Sequence, residues 1–317
     1  MTIKLVIPSP TIEPGKSKFQ LVSREADSIP EALKLMRSDV DKDLDMGHCK
    51  IVILNSELGQ ENFPETLYWF IRRHDVQRIE YIALAEPSAK ALLELSPKSE
   101  RLAANSLFLI FGQEGTETPL IVTVYMYDFY SRMLEKGKDP YLPIITIREE
   151  AYEINRVALF NKEKIVMTLS TEETGIFSQL VRKQSQVVIK ASEGGLNYVL
   201  SVEDYDHKYY ISESNPHNPQ INMDVTIKAV AEESNQPLFD KDWTKLEEIA
   251  EKQIKDRYLT LFEQMKRNEV DPIGFGLRYI ATHHNGEKDW EKWNQIYPKV
   301  KFNVKINVIL KGTGVIK

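Results

Sequence analysis

Histidine and cysteine are the side chains that would carry metal or nucleophilic chemistry here, and their spacing argues against both. The six histidines are His48, His74, His207, His217, His283 and His284. None forms H-E-x-x-H or any i,i+4 pair, the spacing that puts two imidazoles on one helical face for zinc. His283-His284 falls at the end of a helical pattern and reads as a cationic helix C-terminus. The one cysteine, Cys49, makes an internal disulfide or a Cys-rich zinc site impossible. His48-Cys49 suggests a thiol nucleophile with its base, but both lead into an apolar strand where neighbours point to opposite faces. Cys49 therefore reads as a small buried apolar side chain.

The glycines do not outline a phosphate cradle. Gly274-Phe275-Gly276 begins a G-x-G-x-x-G run, but Tyr279 stands where the third glycine belongs, and Asp271-Pro272 rather than a strand comes before it. Gly112 and Gly115 read as loop, and Gly194-Gly195 as a hairpin turn. No serine sits in a G-x-S-x-G elbow. Tyr125, Tyr127, Phe129 and Tyr130 on a helix point several ways, so at least half should be core. Tyr205, Tyr209 and Tyr210 lie on or beside strands, where rings are favoured for packing. Trp290 and Trp293, three apart, share a helical face. The sequence thus nominates no catalytic, cofactor-binding or metal-ligating residue.

The elements that position these residues follow from periodicity. The chain has 317 residues, 42% hydrophobic and 28% charged, with 41 Lys+Arg against 47 Asp+Glu. That is globular composition, enough for two or three domains at roughly 100–200 residues each. A net charge of −6 makes non-specific nucleic-acid binding a poor fit. The longest apolar stretches, Ile51–Leu54 and Leu120–Met126, fall well short of the roughly 20 residues a spanning helix needs.

In the first half, strands at Ile3–Ile7, Phe19–Val22, Ile51–Leu54 and Ile79–Ala85 alternate with helices. One is capped by Ser28 with Pro30 and Glu31 behind it, one covers Phe63–Ile71, and one starts at Ser88. A helix is expected from Thr118-Pro119 to Leu134, then a linker over Lys136–Pro143. The second half predicts a hairpin of Arg156–Phe160 with Ile165–Leu169 and a Ser170–Glu173 capping box. Strands follow at Gln186–Ala191, Asn197–Val202, Lys208–Ile211 and Asn222–Ala231. A long helix, Asp242–Arg267, has a solvated face bearing Glu248–Lys252 and Glu251–Lys255 pairs. Short helices near Ile273–Ala281 and Lys288–Ile296 come before a strictly alternating strand, Val300–Leu310. The fold class is α+β: mixed sheets flanked by helices, with an antiparallel-rich C-terminal sheet backed by the long helix. Residues 1–145 are expected to form an N-terminal region of two small modules, split near 100–115, and 146–317 a C-terminal domain.

The last fifty residues are the most distinctive. Asp271-Pro272-Ile273-Gly274-Phe275-Gly276 is followed by Trp290 and Trp293, then Tyr297-Pro298, then an alternating strand ending Gly312-Thr313-Gly314. In this order they resemble the C-terminal part of the Ger(x)C family, the C subunits of spore nutrient-germinant receptors. Asn155–Lys162 with Ser170-Thr171-Glu172-Glu173, Gly47–Ile53 after the Ser28-capped helix, and Lys138-Asp139-Pro140 with Pro143 extend the resemblance over nearly the whole chain. It implies an elongated arrangement of three α+β modules. It also implies a non-enzymatic lipoprotein subunit at the inner spore membrane, assembled with receptor A and B subunits and scaffolding or coupling them during germination. A small-molecule (germinant) binding module is the alternative. The family pattern opens with a lipoprotein signal, a lipidated cysteine and a Trp-Asp pair, none of which stands here. An N-terminal lipid anchor is therefore implied by kinship, and this chain by itself is expected to be soluble.

Overall fold

A computed structural model of the chain describes all residues except 7–18, 42, 61–62, 98–104, 113–117, 184–185, 214–218 and 313–317. The expected loop at Pro8–Gly15, Gly115, His217 and Thr313-Gly314 lie outside the described residues. The chain divides into two compact units. One comprises Met1–Thr116, Ile121–Leu134 and Pro140–Thr168, the other Glu117–Leu120, Glu135–Asp139 and Leu169–Lys317.

In the first unit, β1 (Thr2–Val6) and β2 (Phe19–Ser23) pair antiparallel. Helix α1 (Ile29–Arg37) starts as its capping residues dictate, with Ser28 Oγ accepting the Glu31 amide at 3.4 Å. The Glu31 carboxylate reaches past the cap to the Asp27 amide at 3.2 Å, rather than to the cap amide itself. Met36 packs with Val22 and Leu44, joining helix to hairpin. Strand β3 (Ile51–Asn55), helix α2 (Phe63–Arg72), strand β4 (Tyr81–Ala85) and the short helices α3 (Ala89–Glu94) and α4 (Ser106–Gly112) follow. Every residue of β4 is buried, so both of its faces are covered.

Helix α5 spans only Met126–Leu134. The expected start at Thr118 is corrected. Ile121, Val122 and Val124 are buried, and the β-branched run stays extended, with the Ile82 amide on Val124 O and the Met126 amide on Glu80 O. Strands β5 (Tyr141–Arg148), β6 (Ala151–Phe160) and β7 (Ile165–Leu169) complete a sheet of order β3-β4-β5-β6-β7, parallel from β3 to β5 and antiparallel between β5 and β6. Phe63, Phe129 and Phe160 form a closed ring cluster at 4.8–5.6 Å beside it. Rings fully buried in this way each contribute about 1.5–3 kcal/mol.

In the second unit, helix α6 (Thr171–Arg182) carries the expected capping box, Ser170 and Glu173 bonding reciprocally. Strands β8 (Val188–Glu193), β9 (Leu196–Ser212) and β10 (Gln220–Ser234) form an antiparallel run. Gly194 and Gly195, at φ +59° and +85°, make the tight turn between β8 and β9. Helices α7 (Trp243–Arg267), α8 (Phe275–His283) and α9 (Glu287–Ile296) precede β11 (Lys301–Gly312), which pairs parallel with β10 in the order β11-β10-β9-β8. Strand β11 buries Phe302, Val304, Ile306, Val308 and Leu310 on one face, and α7 packs on the sheet. The mixed α+β class with a helix-backed, mostly antiparallel C-terminal sheet is what the alternation implied.

Candidate functional site

The residues that carry the sequence signature meet at one place in the second unit. The stretch around Asp139 was expected to be a linker. It is instead held to the start of α8. The Asp139 amide donates to Asp271 O at 2.8 Å, and the Asp271 amide donates to Asp139 Oδ2 at 2.7 Å. Asp271 is 4% exposed. Its Oδ1 accepts the amides of Gly274 and Phe275 at 2.8 and 3.1 Å, and its Oδ2 accepts the Gly276 amide at 2.7 Å. The next free amide of the helix, that of Leu277, goes to Gly137 O at 2.7 Å. A helix start leaves such donors unsatisfied and favours negative charge, and here one carboxylate answers three of them.

Small residues make this approach possible. A Cβ on Gly276 would lie 2.4 Å from Trp293 Nε1 and 2.8 Å from Gly137 Cα. Gly137 itself has φ +77°. Trp293 is buried and stacks on Tyr297, whose hydroxyl donates to Val270 O at 2.8 Å. Burial pushes the Asp271 carboxyl up to about 7. The charge of Asp139 adds to that rise, and the three amides oppose it. Two carboxylates side by side can serve acid–base chemistry, but both Asp271 oxygens face backbone amides of the same chain. Its arrangement is architectural.

The other nominated residues separate. Cys49 is half-buried, and its thiol is pushed up to about 11, first by burial and then by the charge of Glu80, the reverse of what a thiolate nucleophile needs. His48 is exposed, 3.5 Å from Asp45 Oδ2. His283 ends α8 and stacks on Tyr279 at 4.0 Å, with Nε2 3.7 Å from Glu213. Glu213 also pairs with Lys292 and holds that ammonium more firmly protonated than an ordinary lysine, so Lys292 is no activated base. Among the described residues no group of three or more His, Cys, Asp or Glu is placed to hold a metal. No described helix is long and apolar enough to cross a membrane.

The tyrosines pack. Tyr125 stacks between Tyr81 and Tyr127, and Tyr205 is buried with its hydroxyl 3.1 Å from that of Tyr258. Tyr209 meets Phe275 edge-on, and Tyr210 is exposed. Sequence reasoning missed Asp139 and Asp271 as partners. The repeated Asp-Pro dipeptide was the available signal.

A cleft of about 770 Å³ opens in the first unit. One wall is Met1 with residues 2–5 of β1, and another is β3, from Ile51 to Asn55; Lys4, His48, Lys50 and Lys90 are in its lining.

Two family models between them match most of the chain. Residues 1–147 match the family model described as spore germination protein N-terminal domain, and residues 155–314 the one described as spore germination B3/GerAC like, C-terminal. The chain is 24% identical over 307 residues to spore germination protein GerQC of Bacillus cereus, covering 95% of this chain and 84% of that protein. Its fold is similar to the crystal structure of the GerBC protein, with a TM-score of 0.65 at 18% identity, over 98% of this chain and 93% of the other.

Proposed function

We propose, for a chain that belongs to the GerAC family of spore germination proteins, that it acts as the C subunit of a germinant receptor by presenting shaped surfaces to the other subunits, with no bond-making step of its own. One observation carries this reading. The signature residues Asp139, Asp271, Gly274, Gly276, Trp293 and Tyr297 direct their polar atoms and close contacts at their own chain. What the motif specifies is a rigid body, and a rigid body is what a scaffold or coupling subunit needs. Function must be argued from the site, and this site is built to hold shape.

In this reading the partners are the receptor A and B subunits, and the place of action is the inner spore membrane, reached through a lipid anchor. A single acyl chain gives only marginal membrane residence, so protein contacts would supply the second attachment. Affinity purification of the tagged chain from detergent-solubilised spore membranes tests it. The A and B subunits should co-purify, and the purified chain should neither turn over amino acids, sugars or nucleosides nor bind them with micromolar affinity in calorimetry. Micromolar binding by the chain alone would favour the germinant-binding module instead. That alternative expected a pocket walled by Tyr125–Tyr130 or Tyr205–Tyr210, and the cleft in the first unit has other walls.

A further inference from the structure

The backbone groups that face the cleft can be worked out from pairing. The Tyr81 amide donates to Lys50 O at 3.0 Å, and Ile51 is opposite Tyr81 in a parallel register. Residues 50, 52 and 54 therefore turn their amides and carbonyls toward β4, and Ile51, Ile53 and Asn55 turn theirs to the free edge of the sheet. On the other wall, Met1 and Arg24 exchange both backbone bonds, at 2.8 and 3.0 Å. Alternation then points Ile3 and Leu5 at β2, and Thr2, Lys4 and Val6 outward. Among the described residues no group bonds to the amide of Ile51, or to the amide or carbonyl of Ile53; the Cys49 thiol alone reaches Ile51 O, at 3.5 Å. Among the described residues, the edge of β3 thus borders the cavity with unspent donors and acceptors at Ile51 and Ile53.

Its lining carries three lysines, Lys4, Lys50 and Lys90, against two carboxylates, Asp43 and Asp45. Asp43 is engaged by Arg37 at 3.4 Å, and Asp45 by His48 and the Gly47 amide. Lys4 donates to Leu95 O at 2.7 Å and lies over the Phe19 ring, and Lys50 lies 5.4 Å from the centre of Phe108. None of Lys4, Lys50 and Lys90 has a carboxylate partner among the described residues. Ile3, Leu5, Ile51 and Ile53 are among the apolar residues that line the same cleft.

We propose that this cleft receives an extended, acidic segment of another polypeptide, which adds a strand to the free edge of β3 and sets its carboxylates against Lys4, Lys50 and Lys90. Strand addition takes affinity from the main chain and specificity from alternate side chains. Here the alternate side chains would be apolar toward Ile51 and Ile53 and acidic toward the lysines. A five-residue edge matches the usual strand length of about 5–6 residues. This goes beyond the receptor reading and rests on it only for which polypeptide supplies the segment.

Amide exchange on the full chain tests it in two arms. In the first, the chain alone is compared with the chain plus millimolar six-residue peptide alternating Val and Glu, with a Val/Lys peptide as control. The Ile51 and Ile53 amides should slow at least about tenfold with the acidic peptide and much less with the basic one. Ile53→Pro removes the outward amide and should abolish the protection at Ile51, whereas Ile53→Ala, which loses the same packing on the core around Tyr81 and Leu92 but keeps the amide, should retain it. Lys50→Glu should weaken peptide binding several-fold. In the second arm, the same amides are followed in chain co-purified with receptor subunits, where protection should appear without added peptide.

Equal exchange with both peptides, or none, overturns the proposal. So does protection already present in the dilute free chain, which would mean that the chain's own residues fill the slot. Protection that grows with chain concentration alone would assign the slot to a second copy and equally overturn it. Co-purification with exchangeable Ile51 and Ile53 would refute the strand but keep the receptor reading. Failure to co-purify would refute the receptor reading and leave the peptide arm to decide.

Discussion

The two units treat sheet edges in opposite ways. In the second unit one helix closes both. The Glu247 and Glu251 carboxylates of α7 accept the outward amides of Leu310 and Val308 on β11, at 2.8 and 2.9 Å. On the opposite edge Gln253 bonds both the amide and the carbonyl of Ser192, and Arg257 donates to Lys190 O at 2.7 Å. A free edge invites pairing with another chain, and side chains that occupy its donors prevent it. In the first unit, among the described residues, the outward backbone groups of Ile51 and Ile53 on β3 meet no partner but the Cys49 thiol and border a cleft. One unit occupies its sheet edges with its own side chains, and the other leaves the β3 edge to the segment proposed above.

The closed unit can be broken at its most economical point. Asp271→Ala would strand three buried amides and should cost about 3–6 kcal/mol in urea unfolding. A loss below about 1 kcal/mol would deny Asp271 its structural role. Gly276→Ala pushes a methyl into Trp293 and the Gly137 backbone, and should cost about 1–3 kcal/mol by the same measurement.

Opening the β11 edge sharpens the contrast more gently. Glu251→Ala should cost about 1 kcal/mol, and the double change with Glu247→Ala should add concentration-dependent self-association in sedimentation. If the double variant stays monomeric at high concentration, the two glutamates are not what protects that edge.

The smallest effect expected is a pH slope. An unfolded Asp titrates near 3.9, and the folded Asp271 carboxyl stands at about 7. Between those values the folded chain holds the extra proton, so this group's contribution to stability falls as pH rises from about 4 to about 7. Asp139→Asn keeps an acceptor for the Asp271 amide and removes the neighbouring charge. The fall of Tm across that window should flatten by an equivalent of about 0.5–1 kcal/mol. An unchanged slope would show that Asp139 does not raise the Asp271 carboxyl.

Local signals were legible where a single element decides the outcome. Ser28, the Ser170–Glu173 box and Gly194-Gly195 act within a few residues of themselves. The apolar faces of α7 and β11 could each be read from period, and each needed only the other to be buried. Pairings distant in sequence were not legible. Strand β9 read as two pieces because Glu203 and Asp204 are charged, yet both are exposed beside a register shift in one continuous strand. Tyr141–Arg148 joins the first sheet through Leu84↔Ile144 and a hairpin with β6, neither of which has a local sign. Glu251 read as a solvated partner of Lys255, although it spends a carboxylate oxygen on Val308 some 57 positions away. The Asp139–Asp271 clasp spans 132 positions and was visible only as two Asp-Pro dipeptides.

The most direct test of the contrast between a closed and an open edge is native-state hydrogen exchange on the full chain at low concentration, with no partner present. The amides of Ser192, Val308 and Leu310 should exchange at least about tenfold more slowly than that of Ile53. If Ile53 is as protected as Val308, the β3 edge is already occupied and the contrast between the two units fails.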